Sequence, residues 1–160
     1  METIDGRTVR VARWSTGRSD RPPLLFFNGI GANIELVSPL AEKMPERDFI
    51  TFDMPGVGGS PEPAIPYRPW MMARLADVLL DQFGYDQVDV MGISWGGGLA
   101  QQFAVQFGSR VNKLVLVATS AGMLMVPGNV TALSKMINPK RYLDPDYMLN
   151  NFKTLYGGVD

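Results

Sequence analysis

The chain has 160 residues, 46% of them hydrophobic and 19% charged, with a formal net charge of −1. That is about one domain's length, apolar enough to bury a core, and it excludes a disordered chain or a basic binder of nucleic acid. Cysteine and histidine are both absent, so disulfides and thiolate zinc sites are excluded, and neither a metal nor another cofactor is expected.

In chain order, residues 2–14 predict a hairpin. Asp5-Gly6 is a tight-turn dipeptide, and residues 8–14 read as one strand. Residues 15–23 are polar and end in Pro22-Pro23, a loop signal. Leu24-Leu25-Phe26-Phe27 is a short continuous apolar run, as in a parallel strand buried on both faces. Residues 34–43 predict a helix with Asn33 as N-cap and Ile34, Val37, Leu40 and Ala41 on its inner face. Phe49–Phe52 is the next strand, followed by the glycine-rich loop Asp53–Pro61. Residues 69–83 predict a second amphipathic helix. Met72, Leu75, Ala76, Leu79, Leu80 and Phe83 share a face, and Gly84 is its C-cap. Val88–Ile93 is a strand, residues 95–107 a helix ended by Gly108, and Leu114–Ala118 another buried strand. The alternation from 24 to 119 predicts an α/β fold: a mostly parallel sheet with helices on both faces. Residues 120–160 show no strong strand and predict short helices.

Gly92-Ile93-Ser94-Trp95-Gly96 lies where the strand ending at Ile93 meets the following helix. A strained turn in that setting pushes a serine hydroxyl out over the sheet as a nucleophile. The glycines have a steric task, since a Cβ at 92 or 96 would meet neighbouring backbone; Gly97 and Gly98 extend the tolerance and let the helix sit close. N–H groups at the helix start favour negative charge beside Ser94. A phosphate-binding turn is the rival reading, but no Gly-Lys-Ser/Thr run exists. The dinucleotide pattern fails at Pro61 after Gly56-Val57-Gly58 and at Ile34 after Gly29-Ile30-Gly31.

Ester hydrolysis passes through an oxyanion that two backbone N–H groups can stabilise. Trp95, the residue after the serine, is one expected donor. Ile30 is the other, in the Asn28-Gly29-Ile30-Gly31 loop that follows an earlier parallel strand, at the end of the sheet where such folds bind ligands. Asp53 also follows a strand. It is expected to satisfy N–H groups of its own loop and is given no catalytic role.

Three segments, Phe27–Asn33, Phe52–Ser60 and Gly92–Ala104, resemble the bacterial intracellular poly(3-hydroxyalkanoate) depolymerases, above all the medium-chain-length type. Pro66-Tyr67-Arg68, Met125-Val126-Pro127-Gly128, Arg141-Tyr142 and Tyr156-Gly157-Gly158 fit the same family. The resemblance implies an α/β-hydrolase fold, with residues 1–120 as the first part of the core and 121–160 as the start of a helical cap. It implies a serine hydrolase cleaving a polyester of 3-hydroxy fatty acids, with Ser94 as nucleophile, Ile30 and Trp95 as oxyanion donors, and Asn28, Gly29, Gly92 and Gly96 supporting the turns. Asn28 stands where many related esterases carry histidine, but it agrees with this family. Another esterase or lactonase of the superfamily, or a non-catalytic binding protein on the same fold, are the alternatives.

In this superfamily the acid and the histidine follow the serine in the chain, and this chain holds no histidine. Little or no esterase turnover is therefore expected of the 160 residues alone. The strand at Leu114–Ala118 is expected to present an unpaired edge that invites self-association. Met123, Met125, Met136 and Met148 are either packing residues or an apolar surface for a polyester's alkyl groups. The expected partner is an apolar ester or polyester, not nucleic acid. No signal-peptide pattern and no membrane-length apolar run is seen, so the cytoplasm, polyester granules included, is the expected location.

Overall fold

The computed structural model describes residues 1–17, 19–122 and 130–156. The chain divides into two compact units, Met1–Gly122 and Met123–Asp160.

The first unit opens with an antiparallel hairpin of β1 (Glu2–Ile4) and β2 (Arg7–Val9). Its turn residues Asp5 and Gly6 have φ of 48° and 74°, the pair of positive values that a two-residue hairpin turn demands. Residues 8–14 do not form the single strand expected. Arg10 breaks the run, donating its N–H to Ser60 Oγ at 2.8 Å and accepting from Asp53 N at 2.9 Å. Beyond it, β3 (Val11–Trp14) joins a different sheet. The cause is a long-range contact that no local pattern reports.

That second sheet has five strands in the order β3-β5-β4-β6-β7, with β4 (Leu24–Phe27), β5 (Phe49–Phe52), β6 (Val88–Ile93) and β7 (Val111–Val117) mutually parallel. β3 runs antiparallel along β5. Three helices connect the parallel strands: α1 (Ile34–Glu42), α2 (Pro69–Phe83) and α3 (Trp95–Gln106). A short 3-10 turn, Gly108–Arg110, leads from α3 into β7.

Side-chain alternation along the strands sorts the core into two layers. Leu25, Phe27, Ile50, Phe52, Val88 and Val90 face α2 and α3, meeting Met72, Leu79, Leu99 and Phe103. Leu24, Phe26 and Phe49 face the other way, onto Val37 and Ala41 of α1. Helices thus cover both sides, which is why β4 and β5 read as unbroken apolar runs. α1 is capped by Asn33 as expected, whereas Leu40, assigned to its inner face, is 38% exposed: only Ile34, Val37 and Ala41 turn inward. α2 matches its predicted bounds and ends on Gly84 in the left-handed conformation (φ 74°), where Gly84 N and Tyr85 N close the last turn on Asp81 O and Leu80 O.

β7 departs most from expectation. It starts three residues earlier than the Leu114 expected, at Val111, and it is not buried: Leu114, Val115 and Leu116 are 39%, 44% and 40% exposed. Among the described residues it occupies the margin of the sheet, paired with β6 alone.

In the second unit, residues 130–156 form α4 (Val130–Met136), α5 (Lys140–Leu143) and α6 (Pro145–Tyr156), the short helices expected. Tyr147 of α6 donates its hydroxyl to Lys135 O at 3.3 Å, tying α6 to α4. Met136 is exposed and Met148 half-buried; Met123 and Met125 lie outside the described residues. No described helix is long and apolar enough to cross a membrane.

Candidate active site

Ser94 sits between β6 and α3 with φ 54° and ψ −121°, one of three non-glycine residues at positive φ among those described. A serine held there stores about 1–3 kcal/mol of backbone strain, which the surroundings must enforce. They do so at both ends. Ser94 N donates to Val117 O at 2.9 Å, fixing the turn to the end of β7, and Ser94 O accepts from Gly97 N at 2.9 Å, starting the helix. The side chain is exposed.

The glycines around it are sterically required where the sequence placed the requirement. A Cβ on Gly92 would overlap the Gly96 carbonyl, and one on Gly96 would overlap the carbonyl oxygens of Phe27 and Asn28. A Cβ on Gly97 would come within 2.5 Å of Thr119. Gly98 is the exception: nothing lies within 4 Å of its missing side chain, because it faces away from the sheet. The close approach of α3 rests on Gly96 and Gly97, and Gly98 has no part in it.

The same contacts bring the two loops together. β4 and β6 are neighbours, with Phe27 opposite Gly92, so their carboxyl ends open side by side. A Cβ on Gly29 would stand 3.7 Å from Ile93 O and 3.8 Å from Ser94 Cβ, ordinary contact distances. Asn28 is 7% exposed and shapes the loop from within. Its Nδ2 donates to Asn33 O at 2.9 Å, and its Oδ1 accepts from Gly29 N at 3.0 Å. Gly29 N–H is thereby consumed. Ala32 N–H closes on Gly29 O at 3.1 Å. Neither Ile30 N–H nor Trp95 N–H has an acceptor among the described residues. Ile30 is 64% exposed, and the half-buried Trp95 ring meets Tyr67 edge to face at 6.4 Å. Burial beside that ring pushes the Tyr67 phenol up from its ordinary range.

Asp53 satisfies its own loop, as the sequence suggests, through Gly59 N at 2.8 Å. It also does more. Its side chain is fully buried, and its second oxygen accepts from Ile34 N at 2.8 Å, capping α1. Arg10 reaches it at 3.5 Å and pairs with Glu35 at 2.6 Å. The Glu35 hydrogen bond raises Arg10, and the Arg10 hydrogen bond in turn lowers Glu35. Asp53 therefore ties the glycine-rich loop to the far end of the Asn28–Asn33 loop. Sequence reasoning missed this role, since Arg10 and Ile34 are remote in the chain and carry no local signal. No cluster of three or more metal-ligating side chains occurs among the described residues.

Similarity to known proteins agrees with this architecture. The family model for the alpha/beta hydrolase fold matches residues 22–154. A poly(3-hydroxyalkanoate) depolymerase of Ectopseudomonas oleovorans is 48% identical over 156 residues, which are 97% of this chain and 55% of the relative. 3-Oxoadipate enol-lactonase 2 of Acinetobacter baylyi is 31% identical over 121 residues, 75% of this chain and 45% of the relative. The chain thus spans about half the length of these curated relatives. Among solved structures, the enol-lactonase of Burkholderia xenovorans superposes with a TM-score of 0.72 at 18% identity, covering 94% of this chain and 62% of that one. A bacterial membrane phospholipase A gives 0.75 at 23% identity, covering 93% and 48%. With its sheet order, its two-sided helical cover and a family match over most of its length, the chain belongs to the α/β-hydrolase fold family.

Proposed function

We propose that this chain carries the nucleophile and oxyanion half of a serine ester hydrolase acting on a polyester of 3-hydroxy fatty acids. The observation that supports it best is the junction of the two loops. Ser94 is held at positive φ over the end of β6, and the Asn28–Gly31 loop is packed against it with the Ile30 and Trp95 N–H groups unclaimed.

In this reading Ser94 Oγ attacks the ester carbonyl carbon. The carbonyl oxygen becomes an oxyanion and accepts hydrogen bonds from Ile30 N–H and Trp95 N–H. Asn28 occupies Gly29 N–H and braces the loop, so that Ile30 is the donor left over. The alcohol leaves as the acyl-serine forms, and water releases the acid. The serine proton must pass to a base. The sequence contains no histidine, so turnover by these 160 residues alone is expected to be minimal.

The identity to a polyester depolymerase supports the polymer as substrate, as does the exposed apolar surface of the helical unit, where Ile137, Leu143 and Leu149 are 73%, 80% and 76% exposed. We read residues 121–160 as the start of a cap, the cytoplasm and its polyester granules as the location, and the β7 edge as a self-association surface. A second reading, a lactonase or small-ester hydrolase, is favoured by the enol-lactonase relative. Comparing insoluble polyester with soluble nitrophenyl esters, using the full-length protein, separates the two. Ser94-directed labelling by a fluorophosphonate tests both at once. Robust labelling of the full-length protein that Ser94→Ala abolishes is the expected result; absence of labelling would leave a non-catalytic binding protein.

A further inference from the structure

The carboxyl end of β7 leaves the sheet beside the nucleophile turn, and one side chain holds it there. Gln101, on the second turn of α3, donates from Nε2 to Ser120 O at 2.9 Å and to Gly97 O at 3.2 Å. Its Oε1 accepts from Gly122 N at 2.8 Å. A single amide thus reaches the exit segment at two points two residues apart and the nucleophile helix at a third. Ser120 Oγ donates to Gly122 O at 3.2 Å, closing the segment on itself.

Two further contacts make this segment part of the nucleophile's surroundings. Thr119 packs against Gly97 so closely that a Cβ there would be 2.5 Å away. Val117 O accepts the N–H of Ser94 itself at 2.9 Å. Ala118 between them has φ 48°, a value alanine adopts only under constraint. Without a tether, the segment would relax toward ordinary backbone, and the acceptor for Ser94 N–H would shift with it.

We propose that Gln101 is a positioning residue: its amide clamps Val117–Gly122 onto α3 and, through Val117 O, holds the backbone of Ser94 in its strained turn. The functional meaning of the clamp rests on the esterase reading, but its test does not. Gln101 makes no contact with the reacting atoms and acts only through Val117 and Ser94.

The experiment is residue-resolved amide hydrogen exchange on the 160-residue chain, comparing wild type with Gln101→Leu and Gln101→Glu. Leu removes all three hydrogen bonds at similar volume. Protection at Gly122 N–H and Ser94 N–H should fall by about tenfold or more, the scale of losing such local bonds, while Leu25 and Ile50 keep theirs. Glu discriminates positioning from mere bulk. An ionised carboxylate accepts from Gly122 but repels the Ser120 and Gly97 carbonyls, whereas a protonated one both accepts and donates, as the amide does. Protection in Gln101→Glu, corrected for intrinsic exchange, should therefore recover as pH falls through the glutamic-acid range of about 4–5, and Gln101→Leu should show no recovery. Unchanged Ser94 and Gly122 protection in Gln101→Leu overturns the proposal, as does a Glu variant with no pH-dependent rescue. Failure of fluorophosphonate labelling, by contrast, would sink the esterase reading and leave these exchange data standing.

Discussion

β6 and β7 are adjacent, parallel and paired along their length, and both are mostly apolar with valine recurring in each, yet their surroundings are opposite. β6 is buried at Val88, Asp89, Val90 and Gly92, with β4 and β7 on its flanks. β7 exposes every residue from Asn112 to Leu116. Nothing in the apolar content of the two segments separates them. Local sequence decides that each is a strand; position in the sheet decides which is buried. An apolar run of β7's kind suits a strand covered on both faces, so its exposure marks the part of the sheet where cover is lacking.

Truncating one side chain on each side of that boundary should give the largest contrast. Phe27, on the central strand β4, is fully buried and meets the rings of Phe52 and Phe103 at 6.0 Å each. Phe27→Ala should cost about 3–5 kcal/mol, enough to abolish a cooperative urea transition. Leu116→Ala on β7 should cost less than about 1 kcal/mol, because much of the side chain is already in water. Equal losses would mean that β7 is covered in solution, and the contrast would collapse.

The glycines of α3 extend the comparison along one helix. Gly96→Ala forces a methyl into the carbonyls of Phe27 and Asn28, against backbone that cannot yield cheaply. A loss of about 2–3 kcal/mol is expected. Gly98→Ala meets open space and should stabilise by about 0.5–1 kcal/mol through the better helix propensity of alanine. Midpoints of thermal or urea unfolding decide the matter. Equal losses at both positions would show that the site tolerates no change of any kind, and that packing is not the reason.

The two glycines also show how far the sequence could be read. Gly92 and Gly96 flank the serine within the spacing of a known turn, so their steric role was legible. Gly97 and Gly98 look alike in sequence, and only the fold reveals that Thr119 sits against one and solvent against the other. The alternation of strands and helices from Leu24 onward made the sheet legible, because each successive pair of parallel strands is joined through a helix, as a parallel crossover requires. What escaped was set by partners far along the chain. Arg10 breaks the first strand because Ser60 and Asp53 bind its backbone, and Leu40 turns outward although it fits the helical period. β7 is exposed although its composition is that of a covered strand, because burial depends on what packs over it and not on its own residues.

The polar link across the β6–β7 pair offers a smaller, pH-dependent effect. Asp89 on β6 accepts from Asn112 Nδ2 of β7 at 2.7 Å and from Arg47 at 2.8 Å, and both members of the ion pair are nearly buried. Burial alone would raise its pKa, but the hydrogen bonds from Asn112 and Arg47 and the Arg47 charge outweigh it, and the net shift is downward. A carboxylate lowered in the folded state adds stability above its unfolded pKa of about 4, and that stability is lost as pH falls through the lower folded value. Asp48, bonded by Tyr85, Thr16 and Ser15, is shifted the same way against its own desolvation. Asp89→Asn should be less stable than wild type at neutral pH, with the gap narrowing below about pH 4. Urea midpoints across the acid range test this, and a gap independent of pH would remove Asp89 from the account.

The smallest effect on folding should come from a charge on the exposed face of the margin strand. Val115→Lys places an ammonium where the side chain is already 44% exposed, so the change in stability should stay within about 0.5 kcal/mol. Its effect on association should be out of proportion to that. An unpaired apolar strand edge templates pairing with a second copy, and a lysine on such a strand opposes it by keeping its charge in water. Sedimentation velocity of the wild-type chain should show a mass rising with concentration, and Val115→Lys should hold it at the monomer value of 17.6 kDa. A wild-type chain that stays monomeric across the concentration range would mean that exposure of Leu114, Val115 and Leu116 has no consequence for assembly, and that β7 differs from β6 in position alone.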